Sequence, residues 1–77
     1  MKSHSEYLQL SNRIKELRQE KGYSQSKLAE LAGTTQNTIS SIETGQYFPS
    51  AFLSGLICVA LDCKWEDCFY YEVKMRK

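Results

Sequence analysis

Gln36, Asn37, Ser40, Ser41 and Thr44 carry short amides and hydroxyls and no charge. At helical spacing they are left outward when Ile39 and Ile42 turn to an apolar inner face. An outward face kept only for solubility normally carries Lys and Glu. Groups that both donate and accept hydrogen bonds suit another task, bonding to base edges in a DNA major groove. A glutamine at the start of such a helix can bond bidentately to N6 and N7 of adenine, which singles out Gln36, and the Thr35 methyl can pack on thymine. A helical wheel sets Gln36 at the border of the two faces, so its other reading is a polar helix-start residue without a ligand. Entry of the helix N-terminus first into the groove favours base reading. With no Arg or Lys on this face, recognition of guanine is not expected to dominate.

The elements that must hold these groups follow from caps and apolar spacing. Ser24 can cap a helix with its hydroxyl, and Tyr23 before it can staple onto Leu28. That helix runs to Ala32, Gly33 supplies the left-handed conformation that ends it, and Thr34 and Thr35 offer hydroxyls to start the next at Gln36. Leu28, Ala29 and Ala32 share one face, and Ala29 is small enough for a close crossing. Two helices joined by a short Gly-containing turn over Gln25–Glu43 read as a helix-turn-helix. Upstream, Tyr7, Leu10, Ile14 and Leu17 recur at helical spacing, and Ser3 with Glu6 makes a capping box, so the first helix is expected to begin near the N-terminus and end at Gly22. Thr44 to Pro49 reads as a loop, Ser50 as the cap of a fourth helix to about Leu61, and about Lys64 to Phe69 as a short fifth.

Leu53, Ile57, Cys58 and Leu61 form the core stripe of the fourth helix. Phe52, Leu56 and Val59 form a second apolar stripe on its opposite side. The tail alternates, with Phe69, Tyr71, Val73 and Met75 on one side and Tyr70, Glu72, Lys74 and Arg76 on the other, which is a strand pattern. A strand there needs a partner from the N-terminal segment or from a second subunit. The alternative is a tail whose aromatics rest on the fourth helix.

Taken together, NRIKELRQEKGYSQSKLAELAGTTQNTISSIETGQYFPS and then ALDCKWEDCF, about residues 10 to 69, resemble the Xre or Cro/C1-type helix-turn-helix proteins, which include the lambdoid phage repressors. The resemblance implies an all-α fold, a compact five-helix bundle of the lambda-repressor type, with the tail at 70–77 as a short β-strand or a dimerisation segment, all in a single domain over 1–77. It implies a sequence-specific regulator that binds double-stranded DNA, most simply a homodimeric repressor of the small prophage type on a palindromic operator. By that resemblance Gln36 matches an adenine reader, with Thr35, Asn37, Ser40 and Ser41 beside it. Gln25 matches a phosphate ligand at a helix N-terminus, and Ser24 reads equally as a cap or a phosphate ligand. Lys27, Thr44, Gln46 and Tyr47 are further phosphate candidates. Arg18 and Glu43 match a partly buried ion pair that ties the first helix to the third. The dimer interface is expected from Phe52, Leu56 and Val59 with Phe69, Tyr70 and Tyr71. The competing function is an antitoxin or adaptor that engages a partner protein through its aromatic C-terminus.

Seventy-seven residues make one small domain with no room for a ligand-sensing module, so no cofactor and no small-molecule ligand are expected. Net charge is +1, the first fifty residues carrying six cations and five anions and the remainder four of each. Affinity for nucleic acid must then come from placed hydrogen bonds and helix termini more than from a bulk field. No stretch is long and apolar enough to span a membrane and Lys2 to Glu6 is no secretory signal, so a cytoplasmic location is expected. Cys58, Cys63 and Cys68 recur every five residues, which matches no zinc-ligand spacing, and the one histidine is His4, far away in sequence. No metal site is expected. The thiols read as buried small hydrophobes kept reduced, and a thiol sensor would require them exposed. Without a Cys-His or phosphate-loop motif, nothing points to an enzyme.

Overall fold

Three helices begin at a hydroxyl that accepts a backbone hydrogen bond from the first turn. In the computed structural model, which describes residues 6–75, helix α2 (Gln25–Ala32) starts at Ser24, whose Oγ accepts from the Lys27 N–H at 3.0 Å. Helix α3 (Gln36–Glu43) starts at Thr35, accepting from Thr38 at 3.2 Å, and α4 (Ala51–Leu61) at Ser50, accepting from Leu53 at 3.1 Å. Helix α1 (Ile14–Glu20) precedes them and a single turn, α5 (Trp65–Cys68), follows.

The stretch expected to begin the first helix is instead a strand, β1 (Glu6–Asn12), so the fold is not purely all-α. It pairs antiparallel with β2 (Phe69–Met75), in a register running from Glu6 opposite Met75 to Asn12 opposite Phe69. Helical spacing over Tyr7, Leu10, Ile14 and Leu17 therefore describes a helix only from Ile14 onward. Asn12 makes the change of structure: its side-chain oxygen accepts from the Ile14 N–H (3.1 Å) and its amide nitrogen donates to the Ile42 carbonyl (3.0 Å), which pins the strand end to α3. The strand expected in the tail thus takes its partner from the N-terminal segment. Ser3 of the expected capping box lies outside the described residues, as do His4, Arg76 and Lys77.

The sheet's apolar face meets the core only at its inner end, where Phe69 is buried and Leu10 is half-buried against the core. Farther out on that face Tyr71, Val73, Met75 and Leu8 are exposed, whereas on the opposite face Tyr70, Glu72, Lys74, Gln9 and Ser11 are half-buried. Polar contacts stitch the half-buried face. The Ser11 hydroxyl donates to the Glu72 carboxylate and, with Lys74 nearby, holds it below the usual carboxylate range, while the Arg13 guanidinium lies 4.3 Å over the Tyr70 ring.

Beneath the sheet end lies one core, built from Ile14, Leu28, Ala29, Ala32, Ile39, Ile42, Ile57, Cys58, Leu61, Cys68 and Phe69. Each fully buried large aliphatic side chain contributes about 1.5–3 kcal/mol. Phe69 is therefore a core residue, 1% exposed, with Trp65 stacked on it at 5.3 Å. Trp65 also donates to the Ser54 hydroxyl, which satisfies a buried polar group on α4. On the far side of α4, Leu56 is half-buried against the core, but Phe52 and Val59 are 77% and 79% exposed.

Candidate nucleic-acid interface

The crossing of α2 and α3 depends on two small residues. Ala29 is buried in the core on α2, and Gly33 ends α2 at φ +73°, with the Thr34 N–H returning to the Ala29 carbonyl (2.9 Å). Nothing lies within 4 Å of where a Gly33 Cβ would sit, so the backbone angle alone demands glycine there. Ile39 and Ile42 then fix the rotation of α3, leaving Gln36 and Asn37 exposed and Ser40 and Ser41 half-buried beside them.

Gln36 is held in place by a chain of hydrogen bonds that starts in the protein interior. Arg18 and Glu43, with side chains only 11% and 6% exposed, form a bidentate pair: Arg18 Nε donates to Glu43 Oε2 at 2.8 Å and Nη2 to Oε1 at 3.2 Å. Arg18 Nη1 donates to the Tyr23 carbonyl at 3.0 Å, which anchors the entry to α2. Gln25 Nε2 donates to the same Glu43 Oε1 at 3.1 Å, and Gln25 Oε1 accepts a long bond, 3.5 Å, from Gln36 Nε2. The Ser26 hydroxyl donates to Gln36 Oε1 at 2.9 Å. These bonds set which way the Gln36 amide faces. Each amide atom retains one further bond, a lone pair on oxygen and a hydrogen on nitrogen, which is what adenine N6 and N7 require.

The phosphate candidates are placed less uniformly. The Ser24 oxygen caps α2 and keeps its own proton to donate, and the first-turn amides of α2 have no partner within the helix. The Gln25 side chain is committed to Glu43, so a phosphate there would meet backbone N–H groups. Thr44 turns its hydroxyl back to the Ser40 and Ser41 carbonyls, closing α3. Lys27 pairs with Glu30 at 3.6 Å, and Gln46 and Tyr47 are exposed in the loop after α3. Ser26 was not among the residues singled out from sequence; its signal is a hydroxyl on the first turn of α2, the turn beside the start of α3.

Of the expected interface residues, Phe52, Val59 and Tyr71 are exposed, Leu56 and Tyr70 half-buried, and Phe69 buried. The three cysteines, scattered by spacing, converge: their sulfurs all lie within 4.8 Å of one another, with Cys58 and Cys68 buried and Cys63 half-buried. Burial, with the neighbouring thiols adding to it, pushes the Cys58 thiol up to about 11 and raises Cys68 as well. Among the described residues no helix is long and apolar enough to cross a membrane.

A helix-turn-helix family model matches residues 14–68, which takes in all five helices and neither strand. The chain is 48% identical over 63 residues to the uncharacterised HTH-type transcriptional regulator YgzD of Bacillus subtilis, covering 82% of this chain and 96% of that one. It is 46% identical over 60 residues to an HTH-type transcriptional regulator of Methanothermobacter thermautotrophicus, covering 77% and 87% of the two chains. Among solved structures it resembles the restriction-modification controller protein C.AhdI of Aeromonas hydrophila, with a TM-score of 0.68 and 33% identity over 70% of this chain and 82% of that one.

Proposed function

Since the chain belongs to the Xre/Cro-C1-type helix-turn-helix family of transcriptional regulators, we propose that it is a homodimeric repressor that reads a palindromic DNA operator through α3. The observation that carries this reading is the aimed Gln36 amide, tied through Ser26, Gln25 and Glu43 to Arg18 and still able to make two hydrogen bonds outward. Asn37, Ser40 and Ser41 extend the reading surface, and Thr35 stands before the helix with its methyl available to thymine. Ser24 and the α2 amides, together with the exposed Lys27, Gln46 and Tyr47, are the groups we assign to the flanking phosphates.

Dimerisation is supported by the apolar surface that one subunit leaves in water: Phe52 and Val59 on α4, and Tyr71, Val73 and Met75 on β2. A two-fold axis would set two α3 helices about 34 Å apart for successive major grooves. The same exposed sheet face also favours a second reading, an adaptor or antitoxin that covers it with a different protein. Selection of bound sequences from random duplex DNA tests the proposal. Recovery of an inverted repeat whose half-site loses its preference for one adenine in Gln36→Ala supports it. Equal loss by Gln36→Ala on selected and random DNA refutes base reading, and a monomer at high concentration shifts the assignment to the adaptor.

A further inference from the structure

We propose that Cys58, Cys63 and Cys68 form a binding site for one thiophilic metal ion, and that the ion their donor set suits is monovalent copper. Three sulfurs bound at about 2.3 Å to a common ion in trigonal geometry stand about 4 Å apart. The observed spacing, within 4.8 Å for every pair, is under an ångström from that arrangement.

The triangle is built by backbone geometry. Asp62 takes a left-handed conformation at φ 55°, unusual for a residue other than glycine, and turns the chain back so that the Cys63 N–H donates to the Cys58 carbonyl at 3.0 Å. The single turn of α5 then returns Cys68, whose carbonyl accepts from the Arg13 N–H at 2.7 Å. Helix α4, the loop after it and the end of α5 thus each supply one sulfur, and all the cysteines of the chain take part.

The donors decide the ion. Thiolates select copper(I) and zinc over harder cations. Zinc closes a structural site with four protein ligands, whereas the described residues bring only these three groups together. Copper(I) is satisfied by three soft donors. Cys63 gives access, since it is half-buried in an open depression that Val59, Asp62, Lys64 and Asp67 also line. On binding, each ligating thiol releases its proton to solvent and gives a sulfur lone pair to copper; no electron is transferred.

The test is anaerobic titration of the reduced full chain with copper(I) against bicinchoninate as competing chelator. One copper per chain should be retained, with a sulfur-to-copper absorption band in the ultraviolet and a melting temperature raised by several degrees. Cys63→Ser alters the half-buried sulfur and leaves the other two in place; it should fold as the parent does and lose at least tenfold in copper affinity, with Cys63→Ala as a second variant. Copper surrendered as readily by the parent as by these variants overturns the site. Zinc(II) retained in a parallel competition while copper(I) is lost overturns the assignment to copper.

Discussion

Arg18→Met should be among the most damaging single changes in this domain, although it deletes only a surface-type residue from a short helix. Glu43 is 6% exposed and accepts from Arg18 twice and from Gln25 once. Without Arg18 the carboxylate keeps one neutral donor and little water. An uncompensated buried charge costs about 3–5 kcal/mol. Set against roughly 4–12 kcal/mol for a domain of this length, at about 0.05–0.15 per residue, that is about a quarter of the total or more. The double variant Arg18→Met/Glu43→Leu removes both charges together and should recover most of the loss, because a buried pair is often no more stabilising than apolar residues of similar volume. Urea unfolding of the parent, both single variants and the double variant closes the cycle. Gln25 has no acceptor in the double variant, so a protein restored in stability should still discriminate operator from random DNA less well. Single-variant losses below about 1 kcal/mol, the size of an exposed ion pair, would refute the claim that this pair is effectively buried.

Three further outcomes are expected. Gln36→Ala should cost about 1–3 kcal/mol of operator binding and relax one adenine position, while Ser26→Ala should lose a smaller part of the discrimination at the same position; binding to base-substituted duplexes measures both. Phe52→Glu, at a site making little contact within its own subunit, should leave the circular dichroism unchanged and give a monomer in sedimentation, and an unchanged dimer would remove α4 from the interface. The raised thiols set an alkaline limit: Cys58 stays protonated in the folded state and ionises more easily when unfolded, so its contribution is fully present below about pH 9 and is lost as pH rises toward about 11. Urea midpoints in reducing buffer should fall over that window, and Cys58→Ala should flatten the fall.

The helix-turn-helix was legible because its signals are local: Ser24, Gly33, Thr35 and Ser50 each act on their own helix end, and Leu28, Ile39 and Ile42 declare which faces are buried. What the sequence hid was long-range. Tyr7 and Leu10 continue the spacing of Ile14 and Leu17, yet Leu8 and Leu10 equally fit a two-residue period, and only pairing with a segment at the other end of the chain decides between them. The matched family model covers residues 14–68 and so takes in neither strand. Alternation in the tail revealed the strand but not where the core ends: Phe69 is buried, while Tyr71, Val73 and Met75 on the same side extend into solvent. Of the site, outward amides and hydroxyls were visible from helical spacing. The Ser26 contact and the meeting of the cysteines were not, since one depends on the crossing of two helices and the other on a left-handed aspartate.

Because Glu6 lies opposite Met75, the polypeptide enters and leaves this domain at one place, although nearly sixty positions separate even the nearest pair, Asn12 and Phe69. Closing a loop of that length from an extended chain costs about 3–4 kcal/mol in (3/2)RT ln n alone. The helices remove much of that cost beforehand, since Phe69 is fixed in the core and Asn12 is fixed to Ile42. The ladder should therefore nucleate at its inner end and zip outward, with amide exchange fastening last and fraying first at Glu6 and Met75. The same adjacency makes the fold topologically a ring broken at one point. A few flexible residues joining the strand ends would close it, and new termini opened in the loop around Gly45 would divide the chain without cutting a helix.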